Sequence, residues 1–223
     1  MITICRQGNG HYTSGLNNQD FYYMDKNLKL ITDGCSEGKF SEVGTRLFAQ
    51  LFSNIKEEDR LDVEKFDENV KNVFSKICSI LPTDEGKRID AIANNLLFTI
   101  IACFELEDKF VVKSIGDGYI ITVNDQDSVS YIRLNYGKTP PYFGYNFLQT
   151  QTYAKPLNFK IFEFPKSKFK KVGVASDGLA PIVDKRISED FSVFILGKHS
   201  IYTPEGVINS NHAKFSDDIT ILI

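Results

Sequence analysis

The sequence predicts an α+β layered fold, because strand-like and helix-like stretches fall in separate blocks and do not alternate as βαβ units. Three observations carry that expectation. Short β-rich runs open the chain, two stretches of helical period follow, and β-like runs dominate after residue 94. A chain of 223 residues can bury roughly 70–75% of its unfolded surface, so one domain spanning residues 1–223 is expected.

The opening runs are Ile2–Cys5, Phe21–Met24 and Leu28–Thr32, separated by polar turns such as Asp25-Lys26-Asn27. Val43, Leu47, Leu51 and Ile55 then recur every four residues, marking a helix that starts near Ser41. Val63, Phe66, Val70, Val73, Phe74, Ile77 and Leu81 mark a second, longer helix, which Pro82 helps to stop. Leu96–Phe104, Phe110–Ile115, Tyr119–Val123 and Val129–Leu134 follow at short spacing, as in an antiparallel meander. Asn135 to Lys171 has no regular period. Its Tyr142-Phe143-Gly144-Tyr145 stretch suits a hydrophobic loop anchor. Val172–Ala175 reads as a strand, Ser188–Leu196 as a helix and Ile219–Ile223 as a closing strand. No repeat or low-complexity tract divides the chain.

Charge and cysteine usage exclude several function classes. Lys plus Arg number 26 against 29 Asp plus Glu, a net charge of −3. Nucleic-acid and anionic-lipid binders rely on a basic excess, so neither partner is expected. The one basic cluster, Lys166, Lys168, Lys170 and Lys171, reads as a solvated strand edge or loop. Cys5, Cys35, Cys78 and Cys103 form no C-x-x-C pair, which argues against zinc-ribbon or redox-motif chemistry and for reduced thiols. The N-terminus lacks an apolar signal core. Leu96–Phe104, the longest apolar stretch, falls well short of the ~20 residues of a membrane span. A cytoplasmic protein is expected.

The informative feature is where the aspartates fall. Leu30-Ile31-Thr32 runs into Asp33-Gly34, the strand before Gly116 into Asp117-Gly118, and Val172 through Ser176 into Asp177-Gly178. Asp217-Asp218 stands just before Ile219, and Asp20 begins Phe21-Tyr22-Tyr23. Asp-Gly is the commonest turn dipeptide, so any one of these reads as a turn. Five acids at strand ends suggest more. Carboxylates gathered at one sheet edge raise one another's pKa, and hard divalent cations relieve that repulsion. Glycine beside an acid also lets a backbone carbonyl approach an ion.

In order along the chain stand His11-x-x-x-Gly15-x-x-Asn18-Gln19-Asp20, Thr32-Asp33-Gly34, Gly116-Asp117-Gly118, Ser176-Asp177-Gly178-Leu179 and Ser216-Asp217-Asp218-Ile219-Thr220. That order and spacing resemble the metal-dependent protein phosphatases of type 2C (the PPM family), in particular the compact bacterial branch. The resemblance covers residues 8 to 222. It implies a four-layer αββα sandwich of two antiparallel sheets flanked by helices, with two Mg²⁺ or Mn²⁺ ions at one end and a possible third. By that similarity Asp33 bridges the ions, the Gly34 carbonyl ligates one, and Asp177 and Asp217 complete the other. Asp20 holds metal-bound waters, and Asp117 with Asp177 holds the third ion. The implied activity is hydrolysis of phosphoserine or phosphothreonine on proteins by a metal-bridging water, with a cytosolic kinase acting on the same substrates. A monomer is expected.

The pattern also departs from the family in places. Gln19 stands where many members carry an acid, and Cys35 where some carry a histidine that acts as general acid. No arginine lies between Asn9 and Asn18. Metal-bound water or His11 is left as the proton donor; otherwise His11 is a polar turn residue. His199 and His212 read as surface or capping residues, and Gly8-Asn9-Gly10 as a turn. Two alternatives follow: a pseudophosphatase that binds a phosphoprotein without turnover, and a phosphatase of a small phosphorylated molecule.

Overall fold

The structure is a computed structural model that describes residues 2–134, 139–148, 156–198 and 200–223. The first half contains β1 (Thr3–Arg6), α1 (Asn9–Ser14), β2 (Asp20–Asp25), β3 (Leu28–Gly34), α2 (Ser41–Ser53), α3 (Glu57–Arg60), α4 (Phe66–Ser79) and α5 (Glu85–Asn95). The second contains β4 (Phe98–Glu105), β5 (Lys109–Ile115), β6 (Gly118–Asn124), β7 (Val129–Leu134), β8 (Lys160–Pro165) and β9 (Phe169–Ala175). It closes with α6 (Ala180–Val183), α7 (Ser192–Ile195), α8 (Pro204–Ser210) and β10 (Ile219–Leu222). The strands form two five-stranded sheets, ordered β1-β10-β9-β6-β7 and β2-β3-β4-β5-β8, and every pairing is antiparallel.

The two-residue period of the strands sets the layers. In β4, Phe98, Ile100, Ala102 and Phe104 point to one face, where they join Phe48, Phe52, Phe66 and Phe74 of the helices. Ile101 and Cys103 point the other way and meet Ile120, Val172, Val174 and Leu222 between the sheets. Tyr119, Ile121 and Val123 of β6 leave that interior for a third cluster with Ile182, Ile195 and Val207 of the C-terminal helices. Helices, sheet, sheet and helices therefore stack as an αββα sandwich.

Several expectations need correction. The predicted meander over Leu96–Leu134 is divided between the sheets, with β4 and β5 in one and β6 and β7 in the other. Gly116 (φ 97°) and Gly118 (φ 123°) carry the chain across, in a backbone region that side chains rarely adopt. In α2 the predicted stripe sits at the edge, and Val43 is exposed. The buried face is Gly44, Thr45, Phe48, Ala49 and Phe52, and it lies close because a Cβ at Gly44 would come within 1.7 Å of the Asn95 carbonyl. The second helix starts at Phe66, after a turn in which the Asp62 carboxylate accepts from the Glu64 and Lys65 amides.

Helix α5 gave no apolar signal, since only Ile92 is fully buried. Its start is set by the Asp84 carboxylate accepting from the Lys87 amide. The helix predicted over Ser188–Leu196 is confined to Ser192–Ile195, while α8 follows a Thr203 cap. The irregular span after Asn135 contains β8 and the start of β9. Residues 135–138 and 149–155 of it, and His199, lie outside the described residues. Phe143 and Gly144 pack into the aromatic core, which makes this segment an anchor.

Gly8-Asn9-Gly10 opens α1 instead of forming a free turn, pressed against the Asp217 and Ser216 backbone. The lysine cluster lies at the β8–β9 turn and in β9. Lys166 pairs with Glu105, Lys170 with Asp127, and Lys171 donates to the Ile195 carbonyl. All four cysteines are free thiols.

Candidate functional site

Strand register brings the first acids together. Asp20, the first residue of β2, lies directly opposite Asp33 near the end of β3, and Asp33 lies opposite Thr99 of β4. Thr99 Oγ donates to Asp117 Oδ1 at 3.0 Å and accepts from the Asp117 amide at 3.1 Å. That reciprocal pair holds the β5–β6 crossing against the end of β4. A Cβ at Gly116 would stand 2.2 Å from the Thr99 hydroxyl oxygen, so the close approach requires glycine.

The other sheet supplies the remaining acids. Ser176, at the end of β9, donates through its hydroxyl to Asp20 Oδ2 at 2.7 Å and accepts from the Thr220 amide at 2.9 Å. One hydroxyl thus ties the edges of both sheets. Asp177 follows at the head of a short helical turn, and Gly178 beside it leaves no room for a Cβ against the Asp218 carbonyl. Gly34 is hemmed in the same way by Ser41 and Gln19, with a would-be Cβ 2.6 Å from Ser41 Oγ.

Among the described residues, no lysine or arginine forms an ion pair with Asp20, Asp33, Asp117, Asp177 or Asp217. Loss of hydration, then repulsion from Asp217 and Asp117, pushes Asp177 up to about 7. Burial pushes Asp20 up to about 7 as well, with the Asp218 charge adding to it and the Ser176 hydroxyl opposing. Asp33 is raised well above the carboxylate range, first by burial and then by Asp20, Asp177, Asp217 and Asp117 in turn. Asp217 is raised by burial too. Asp20 Oδ1 and Gln19 Oε1 are buried without a hydrogen-bond partner among the described residues.

The structure therefore brings Asp20, Asp33, Gly34, Asp117, Asp177 and Asp217 to one edge, and His11 joins them from α1. His11 is buried and no polar turn residue: its Nδ1 lies 2.8 Å from Asp218 Oδ2, and its Nε2 3.7 Å from Asp217 Oδ1. The Asp218 bond, outweighing burial, raises its pKa. His212 stays apart, half-buried, with Nε2 3.1 Å from the Gln7 carbonyl.

Sequence reasoning placed Asp218 in the last motif but gave it no role; it accepts from the amides of Gly8 (2.7 Å) and Gln19 (2.6 Å) besides His11. Those partners lie about 200 residues away in the chain, so no local pattern announces them. Arg133 of β7 was missed. It lies over the Tyr119 ring and close enough to Asp177 for its charge to lower that acid's pKa.

Two antiparallel sheets flanked by helices, with acids from both sheets massed at one edge, define the class of fold. The sequence profile of the protein phosphatase 2C family matches residues 7–208, and the chain belongs to that family. No curated protein sequence matches it. Among solved structures it is similar to the serine/threonine phosphatase Stp1 from Staphylococcus aureus, at 15% identity and TM-score 0.64, covering 99% of this chain and 92% of that one. It is likewise similar to the catalytic domain of the phosphatase PstP in complex with two manganese ions (13%, TM-score 0.62, 99% and 94%). PppA of Pseudomonas aeruginosa gives 11%, 0.64, 99% and 94%. At these identities the likeness establishes the fold.

Proposed function

We propose that this chain is a Mg²⁺- or Mn²⁺-dependent phosphatase acting on phosphoserine and phosphothreonine in proteins. The observation that carries the reading is the set of acids at one edge that, among the described residues, has no lysine or arginine partner, with Asp20 Oδ1 buried and lacking a hydrogen-bond partner there. Such a set is costly to keep in a folded protein, and a pure binding module has no use for it. Oxygen donors of this kind suit hard divalent ions, so the residues present fit the family's metals.

Asp33, Gly34, Asp177 and Asp217 would hold two ions, Asp20 would support them, and Asp117 with Asp177 would serve a third. When bound, such ions supply Lewis acidity, making water acidic enough to attack phosphorus at neutral pH and neutralising the phosphoryl oxygens. Asp33 and Asp177 are the acids on which turnover depends most. The Ser176 hydroxyl holds the Asp20 carboxylate in one orientation, and Thr99 does the same for Asp117. His11 completes the constellation.

The likeness to the serine/threonine phosphatase Stp1 and to the serine/threonine protein phosphatase PstP favours phosphoprotein substrates, with a cytosolic kinase as counterpart. No helix among the described residues is long and apolar enough to cross a membrane. The test is hydrolysis of p-nitrophenyl phosphate with EDTA, Mg²⁺ or Mn²⁺, beside Asp33→Asn. Activity that needs the ion and is lost in the variant supports the reading, and a folded protein silent in every condition refutes it. Phosphopeptides set against small phosphate esters then test the substrate class.

A further inference from the structure

We infer that His11, oriented by Asp218, is a nitrogen ligand to one cation of the proposed centre beside Asp217, and that it biases that position toward transition ions over Mg²⁺. The inference rests on the metal-centre reading above and adds to its ligand set.

The argument starts from Asp218. Its carboxylate is 2% exposed and accepts from two backbone amides, so it is fixed in place as an acceptor. His11 Nδ1 at 2.8 Å must then be the protonated nitrogen. In the neutral imidazole this leaves the lone pair on Nε2, and Nε2 is the atom that faces Asp217 Oδ1. Their 3.7 Å separation is beyond a hydrogen bond. It is within the range for two donors on one ion, since metal–ligand bonds of about 2.1 Å separate neighbouring donors by roughly 3–4 Å. The Asp218 carboxylate and the His11 imidazole thus stand as the carboxylate–histidine pair by which proteins commonly present the far ring nitrogen to a metal, with Asp217 beside that nitrogen.

His11, Asp217 and Asp218 each offer a ligand atom, and these atoms lie within 4.8 Å of one another. Asp218 is already committed to three donors, so Asp217 and Nε2 are the pair left for an ion. A second, independent observation points the same way: Asp20 Oδ1, in a side chain 2% exposed, has no hydrogen-bond partner among the described residues. Mg²⁺ favours all-oxygen shells, whereas imidazole suits the later divalent ions, so one nitrogen at this position shifts selectivity.

Pulsed electron paramagnetic resonance of the full chain, stripped by chelation and reloaded with Mn²⁺, reads the ligand directly. The expected result is a ¹⁴N coupling of directly bound imidazole that changes to a ¹⁵N coupling when histidine is supplied as ¹⁵N. The chain has three histidines, and His11→Gln is expected to remove the coupling. In calorimetric titrations that variant should weaken one Mn²⁺ site by about 10–100-fold and Mg²⁺ binding by less. Asp218→Asn, which keeps one carbonyl oxygen where the carboxylate offers one oxygen to the Gly8 amide and the other to the Gln19 amide and His11, should weaken the same Mn²⁺ site without abolishing it.

Mn²⁺ bound to the wild type with no nitrogen coupling overturns the inference and leaves the phosphatase reading standing. Failure of the wild type to bind Mn²⁺ overturns both. Should His11→Gln not fold, the labelled wild-type spectrum still decides.

Discussion

The aromatic layer beneath sheet β2-β3-β4-β5-β8 and the acid edge of the same sheet obey opposite rules. In the layer Phe48, Phe66, Phe74, Phe98 and Phe104 are wholly buried, with ring centroids 5.3–5.6 Å apart. Each ring stabilises its neighbours there. At the edge, each carboxylate makes its neighbours harder to ionise. A single strand serves both regions, since β3 places Leu28 and Leu30 in the core and Asp33 among the acids. The lesson is that the apolar layers hold together an edge that opposes its own folding, as functional sites often do.

Asp33→Asn should break the contrast most visibly. Hydrolysis should fall by on the order of 10³-fold or more. The metal-free variant should nevertheless melt higher than the wild type, because the most strongly perturbed acid is gone. Calorimetric melting with EDTA, run beside the activity assay, checks both. A variant that lost stability together with activity would place Asp33 among the residues that build the fold.

Phe74→Ala tests the other side. It touches Phe48, Phe98, Phe143 and Phe147, so the cavity should cost about 3–5 kcal/mol in urea denaturation. Mn²⁺ affinity of the folded fraction should stay where it was. A change in metal affinity would mean that the two regions are coupled through α4 and β4.

pH separates them more gently. Asp20 and Asp177 lie near 7 in the folded protein against an ordinary 3.8, so the folded state holds more protons across that window. Stability of the metal-free protein therefore falls as pH rises from about 4 to 7. His11, raised above 6.5, acts in the same sense, since its contribution is present below that value and lost above the folded one. The metal-free protein should thus be more stable at about pH 5.5 than at pH 8, by about 2 kcal/mol for each of the two acids. Saturating Mn²⁺ should reverse the order, because the acids bind it deprotonated. Melting curves at the two pH values, with and without Mn²⁺, read the reversal.

What the sequence disclosed follows the same division. The strand-end acids were legible because Asp beside Gly recurs in a fixed order, and the family they point to is the one the chain belongs to. The layered α+β class was legible because β and helical periods fall in blocks, whereas the four-layer sandwich was implied only by the family resemblance. The crossing at Gly116 and Gly118 was not, since a tight turn within one sheet and a step between sheets share the same residues. The core face of α2 was misplaced because Gly44 and Thr45, which are not apolar markers, are what approaches closest. Asp218 was hidden for another reason: its importance lies in amides and an imidazole that only the closed fold brings to it.

The smallest expected effect lies far from both regions. Lys170 and Asp127 approach to 2.7 Å, yet their side chains are 49% and 59% exposed, so water and salt screen the pair. Asp127 sits at φ 58° in the β6–β7 turn, a conformation that needs support. That support comes from Asn124, whose side-chain oxygen accepts from the Gln126 and Ser128 amides at 3.0 and 2.8 Å. Lys170→Ala should therefore change stability by no more than about 0.5 kcal/mol. Asn124→Ala should cost about 1 kcal/mol, because it leaves two turn amides without their acceptor. Urea denaturation of the two variants at low and high salt makes the measurement. A larger loss from Lys170→Ala that disappears in salt would show that the ion pair, and not the asparagine, holds this turn.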